Sequence, residues 1–101
     1  KLAVLGDMLE LGPYEEHGHQ MVGARAAEVV EMLITVGERG KMIASAAGQA
    51  GLDPNRIVEL ENAQQAITYL RPLLLEGDVV LVKGSHGMRM DRIVAALEYR
   101  Q

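Results

Sequence analysis

With no cysteine in its 101 residues, the chain can form no disulfide, use no thiol nucleophile and build no cysteine-bound metal site. That composition fits a reducing setting, and a cytoplasmic location is expected. Phenylalanine and tryptophan are also missing, and only three tyrosines occur, so there is no aromatic platform for stacking bases. Positive charge is short as well: ten Lys and Arg against fourteen Asp and Glu leave a net charge of −4. A nucleic-acid binder or a protein held on anionic lipid needs a basic face, so neither nucleic acid nor membrane is an expected partner. No apolar run approaches the roughly 20 residues of a membrane-crossing helix. No signal peptide is visible either, because the first residues already have a strand pattern. The chain starts at Lys1 and enters a strand almost at once, so we expect one domain, residues 1–101, cut from a longer protein.

What is present is aliphatic. Hydrophobic residues make up 49% of the chain, enough for a core of leucine, valine, isoleucine, alanine and methionine in a domain of this size. Leu2-Ala3-Val4-Leu5 closes at Gly6-Asp7, Met32-Leu33-Ile34-Thr35-Val36 at Gly37, and Val79-Val80-Leu81-Val82 before Gly84. Each reads as a strand ending in a turn. Ile57-Val58-Glu59-Leu60 is shorter and more polar, and reads as an edge strand. Continuous rather than alternating apolar runs imply burial on both faces, as in a parallel sheet.

Between the strands the spacing is helical. Val22, Ala26, Val29 and Val30 share one face, as do Met42, Ile43, Ala46, Ala47 and Ala50, with Gly51 as a C-terminal cap. Ala63, Ala66, Ile67, Leu70 and Leu74 form a third stripe, opened by an Asn62–Gln65 capping pair and ended or bent at Pro72. Met90, Ile93, Val94 and Leu97 form the fourth. The expected fold is α/β: an open, mainly parallel sheet of about four strands with helices on both faces. Ligands of such sheets bind beyond the carboxyl ends of the strands.

Two of those ends carry candidate chemistry. Lys83-Gly84-Ser85-His86-Gly87 combines glycines that let a ligand approach the backbone, a hydroxyl donor, a cation, a histidine and the amides of a following helix. That set suits a carboxylate or phosphate; an ordinary glycine-rich turn is the alternative. Gly6-Asp7-Met8-Leu9-Glu10 offers Asp7 and Glu10, followed by Glu15, Glu16, His17 and His19, but no spacing among them matches a metal motif, and a loop shaping a pocket wall is the simpler reading. Gly37-Glu38-Arg39-Gly40-Lys41-Met42 departs from a phosphate loop in glycine spacing and in having methionine after the lysine, so a charged turn is expected. Ser85 and His86 are adjacent and lie outside any nucleophile elbow, so no catalytic set is assigned. The methionines read as core filler.

The segment from Ala3 to Gly12, AVLGDMLELG, resembles the second strand and loop of the carboxyl-terminal domain of the Mur ligases. His19-Gln20-Met21-Val22-Gly23 is similar to that family's histidine-to-glycine segment, and Val80 to Met90, VLVKGSHGMRM, to its last strand, loop and helix start. The likeness covers nearly the whole chain and is greatest to the branch that adds D-alanyl-D-alanine.

The resemblance implies a Rossmann-like domain and a role in peptidoglycan precursor synthesis. In this family ATP, with magnesium, phosphorylates the carboxylate of a UDP-linked muramyl peptide, and an incoming amine attacks the acyl phosphate. The central domain holds the phosphate loop and magnesium. The carboxyl-terminal domain closes over the site and brings in the amino substrate, here D-alanyl-D-alanine for UDP-muramyl tripeptide. Carried onto this sequence, Gly84 and Ser85 lie near the dipeptide carboxylate, Lys83 and His86 add positive potential, and Asp7, Met8 and Glu10 line the adjoining wall. His86 stands where many relatives carry arginine, so its charge would depend on pH. The phosphate loop and the domain's first strand and helix are not in this sequence. No ligation by this chain alone, and no ATP or magnesium site within it, is therefore expected. The missing domains are its implied partners, and the truncated sheet is expected to self-associate weakly. Two other readings are a stand-alone small-ligand module of this fold and a phosphoacceptor regulatory domain using Asp7 and Lys83. The latter wants an additional acidic pair near the first strand and an acceptor aspartate at a central strand end, where Gly37 stands instead.

Overall fold

The apolar runs become four parallel strands in a computed structural model that describes residues 1–8, 12–74, 78–84 and 89–98. In chain order the regular elements are β1 (Leu2–Gly6), α1 (Glu15–Val29), β2 (Met32–Val36), α2 (Gly40–Gln49), β3 (Ile57–Leu60), α3 (Ala63–Leu73), β4 (Val80–Lys83) and α4 (Asp91–Glu98), with short 3-10 turns at Gly12–Tyr14 and Pro54–Arg56. The sheet order is β3-β2-β1-β4. Val4 stands between Ile34 on one side and Val82 on the other. The chain steps outward from β1 to β2 to β3, then crosses back to lay β4 on the free side of β1. Strand order therefore reverses between β1 and β4, and a crevice opens at their carboxyl ends.

The sheet separates two cores because successive side chains point to opposite faces. Ala3, Leu5 and Leu33 pack against Ala26 and Val30 on the α1 side and Ile43 and Ala47 of α2. Leu2, Val4, Ile34 and Val36 pack against Ala66, Ile67 and Leu70 of α3 and against Met90 and Ile93 at α4. The local stop signals work as expected. Gly51 takes φ +111°, and the Gly51 and Leu52 amides return to the carbonyls of Gly48 and Ala47, closing α2. Asn62 Oδ1 accepts from the Gln65 N–H at 2.9 Å, opening α3, which ends one residue beyond Pro72.

Four sequence expectations need correction. In α1 the buried face is His19, Gly23 and Ala26; Val29 is 45% exposed. A histidine and a glycine in the buried stripe hide the helix period from any count of apolar residues. Ala50 and Val94 also face solvent rather than the core. β4 alternates instead of being buried on both sides: Val80 and Val82 pack toward α3 and α4, while Val79 and Leu81 are 59% and 49% exposed. Among the described residues no helix covers that half of its other face. Met21 is likewise exposed, unlike the core filler expected of a methionine.

Candidate functional site

Gly6 ends β1 and Gly84 follows β4, side by side in the crevice. A Cβ on Gly84 would lie 2.8 Å from Met90 Cγ and 3.3 Å from the Gly6 Cα; one on Gly6 would meet Met90 Sδ at 3.0 Å. Glycine at both places lets the strand tips close on Met90. Beside them, on the α1 and α2 side, is a cavity of about 240 Å³ lined by Leu5, Gly6, Met8, Val22, Lys83 and Gly84 together with Ile43. A shallower groove of about 330 Å³ continues from Lys83 along Leu81 and α1. The walls are apolar and Lys83 supplies the charge. Among the described residues the Lys83 ammonium has no carboxylate partner.

The wall below Met8 is held by polar groups from both helices. Asp7 is buried. Its Oδ1 accepts the Gly40 N–H at 3.0 Å and its Oδ2 lies 3.6 Å from Arg39. A carboxylate one residue past β1 thus caps the start of α2, where the helix dipole favours negative charge. Arg39 also donates to Glu15 in the first turn of α1. The Glu15 hydrogen bond first, then its charge and that of Asp7, hold the guanidinium above its ordinary value. His19 is fully buried; its Nδ1 lies 2.6 Å from the Glu15 carbonyl oxygen, and its Nε2 accepts the Met8 N–H at 3.0 Å. The Thr35 hydroxyl, buried beneath Gly40, has no hydrogen-bond partner among the described residues.

Of the residues expected at the site, the fold brings Asp7, Met8, Lys83 and Gly84 to one end of the sheet. Glu10, Ser85 and His86 lie outside the described residues. Asp7 has neither the exposure nor the free oxygens that a phosphoacceptor needs. His17 is exposed and His19 buried on different sides of α1, and no cluster of three or more His, Cys, Asp or Glu among the described residues could hold a metal. The Gly37–Met42 turn does not fit a triphosphate: the amides of Gly40, Lys41 and Met42 are engaged by Asp7, Glu38 and Arg39. No described helix is long and apolar enough to cross a membrane. Sequence reasoning missed the Arg39–Glu15–Asp7 cluster and the buried role of His19. The signal for the latter was its place at i, i+4, i+7 with Gly23 and Ala26.

Residues 1–86 match the family model for the Mur ligase glutamate ligase domain. The UDP-N-acetylmuramoyl-tripeptide–D-alanyl-D-alanine ligase of Bacillus subtilis is 33% identical over 98 residues, 96% of this chain and 21% of that protein. The Escherichia coli ligase of the same name is 33% identical over 101 residues, 97% of this chain and 21% of that protein. The chain thus spans about a fifth of the length of these relatives. Among solved structures, MurF from Acinetobacter baumannii superposes with a TM-score of 0.69 at 27% identity, covering 96% of this chain and 21% of that one. The Thermotoga maritima MurF ligase in complex with ADP gives 0.73 at 24% identity, covering 98% and 22%, and supports the fold.

Proposed function

The chain belongs to the Mur ligase family, and we propose that it forms part of an ATP-dependent ligase that adds D-alanyl-D-alanine to UDP-N-acetylmuramoyl-tripeptide for peptidoglycan. Its task is to receive the incoming dipeptide. The observation that carries this reading is Lys83, without a carboxylate partner among the described residues, lining the apolar cavity between the tips of β1 and β4. A small peptide with a terminal carboxylate and methyl side chains matches that combination of one cation and aliphatic walls. Lys83, Gly84, Ser85 and His86 face the carboxylate in this reading, and Met8, with Glu10, forms the wall. Asp7 contributes by fixing the wall, since its oxygens are engaged by α2.

In this reading, activation of the muramyl carboxylate with ATP and magnesium is the work of other parts of the intact ligase, while the Gly40, Lys41 and Met42 amides of this chain are engaged within their own turn and by Asp7. The chain's own residues orient the amine and exclude water from a hydrolysable intermediate. We place the reaction in the cytoplasm. We also propose weak self-association through the outer edge of β4.

In the full-length ligase, Lys83→Ala and Ser85→Ala are each expected to raise the KM for D-alanyl-D-alanine. The loss of a charge-assisted contact, about 1.5–3 kcal/mol, corresponds to roughly 10- to 150-fold. Steady-state kinetics with dipeptide and ATP varied separately make the test. Dipeptide use unchanged in both variants removes the assignment.

A further inference from the structure

His19 is the one fully buried ionisable side chain among the described residues, and nothing in the proposed chemistry consumes it. Its hydrogen bonds define its state. The Glu15 carbonyl, 2.6 Å from Nδ1, can only accept, so Nδ1 carries the proton. Nε2 then has a free lone pair, and it receives the Met8 N–H at 3.0 Å. Met8 stands just past the last paired residue of β1, Gly6, where the ladder ends and this amide has no strand carbonyl to meet. Asp7, one residue earlier, is tied to the start of α2 through Gly40. Two successive residues at the strand tip are therefore anchored by two different helices. The second of them turns into the cavity that also contains Lys83 and Gly84.

We infer that His19 is a positioning residue for the dipeptide: it holds the Met8 amide and so sets where Met8 stands in the pocket wall shared with Lys83. This rests on the proposed dipeptide role of that pocket. A half-buried amide that loses its acceptor regains a partner most readily by moving, and Met8 moves with it. The imidazole is suited to the task because it spans two backbone groups on different elements with one rigid ring.

The test uses the full-length ligase and three substitutions. In His19→Gln the amide oxygen can still reach the Met8 N–H. In His19→Asn the shorter amide keeps the bond to the Glu15 carbonyl and loses Met8. His19→Leu fills the space and keeps neither. We expect the KM for D-alanyl-D-alanine to rise about fivefold in Asn and Leu, the loss of one part-buried hydrogen bond, and to recover toward wild type in Gln. The KM for ATP should stay within twofold in folded variants. Hydrogen exchange of the segment around Met8 should quicken in Asn and Leu but not in Gln. A merely structural histidine would lower thermal stability in all three without separating the two substrates. Unchanged dipeptide KM and unchanged Met8 exchange in Asn and Leu overturn the inference. If the wild-type ligase does not use the dipeptide at all, while exchange at Met8 still follows the pattern Leu and Asn above Gln, the functional reading falls and the positioning role stands.

Discussion

Gly23 shows how much one missing carbon can decide. It lies in the middle of α1, and a Cβ built on it would come within 2.2 Å of the Ile43 carbonyl oxygen in α2. The obstacle is backbone, so it cannot swing aside; the two helices would have to part. Gly23→Ala is expected to destabilise the fold by about 3 kcal/mol, the upper end of overpacking, read as a lower urea midpoint. Gly48 is the control. It also sits in a helix, but its added Cβ would meet only Ile57 Cδ1 at 3.8 Å. Gly48→Ala should therefore be neutral or stabilise by about 0.5–1 kcal/mol. Equal loss in both variants would show that the α1–α2 approach is not what Gly23 provides. In the sequence both are glycines inside helical patterns, and the sequence holds no sign of which is the contact.

Asp7 links two elements that sequence places 33 residues apart. Strand tips tend to carry polar residues, so an acid after β1 was legible as a candidate ligand. That it would point sideways onto the start of α2 was not, because this depends on where the crossover returns α2. Asp7→Ala leaves the Gly40 amide with only its longer bond to the Gly37 carbonyl, 3.2 Å, and Arg39 with Glu15 alone, and about 1–2 kcal/mol of stability should be lost. Asp7→Asn keeps an acceptor and should lose less. Thermal unfolding of both variants checks the order; Asn as damaging as Ala would assign the effect to charge rather than to the cap. The strands and helices themselves were readable where one residue type dominated. α3, with Ala63, Ala66, Ile67 and Leu70 buried and Asn62 as cap, follows its stripe closely. α1 did not, since two of its three buried positions are histidine and glycine.

The outer edge of β4 governs how the whole chain meets its surroundings. β4 pairs with β1 on one side and with no described strand on the other, and Val79, Leu81 and Met21 are exposed beside it. Unpaired strand edges and apolar patches favour association. Sedimentation of the 101-residue chain should show a concentration-dependent shift toward dimer, and Leu81→Glu should suppress it. A single monomeric species at millimolar concentration, for the unaltered chain, would reject self-association through this edge.

Local chemistry written in the chain was enough to specify the class of fold, the sites of its turns and the two strand-end segments worth examining. Those features depend on neighbours in sequence: apolar runs, glycine breaks, a capping asparagine. The crevice between β1 and β4, the anchoring of Asp7 and Met8 from separate helices, and the bare half of β4 became visible in the folded chain. Each arises from contacts between residues far apart in the chain, which strand order and helix placement create and no short stretch of residues encodes.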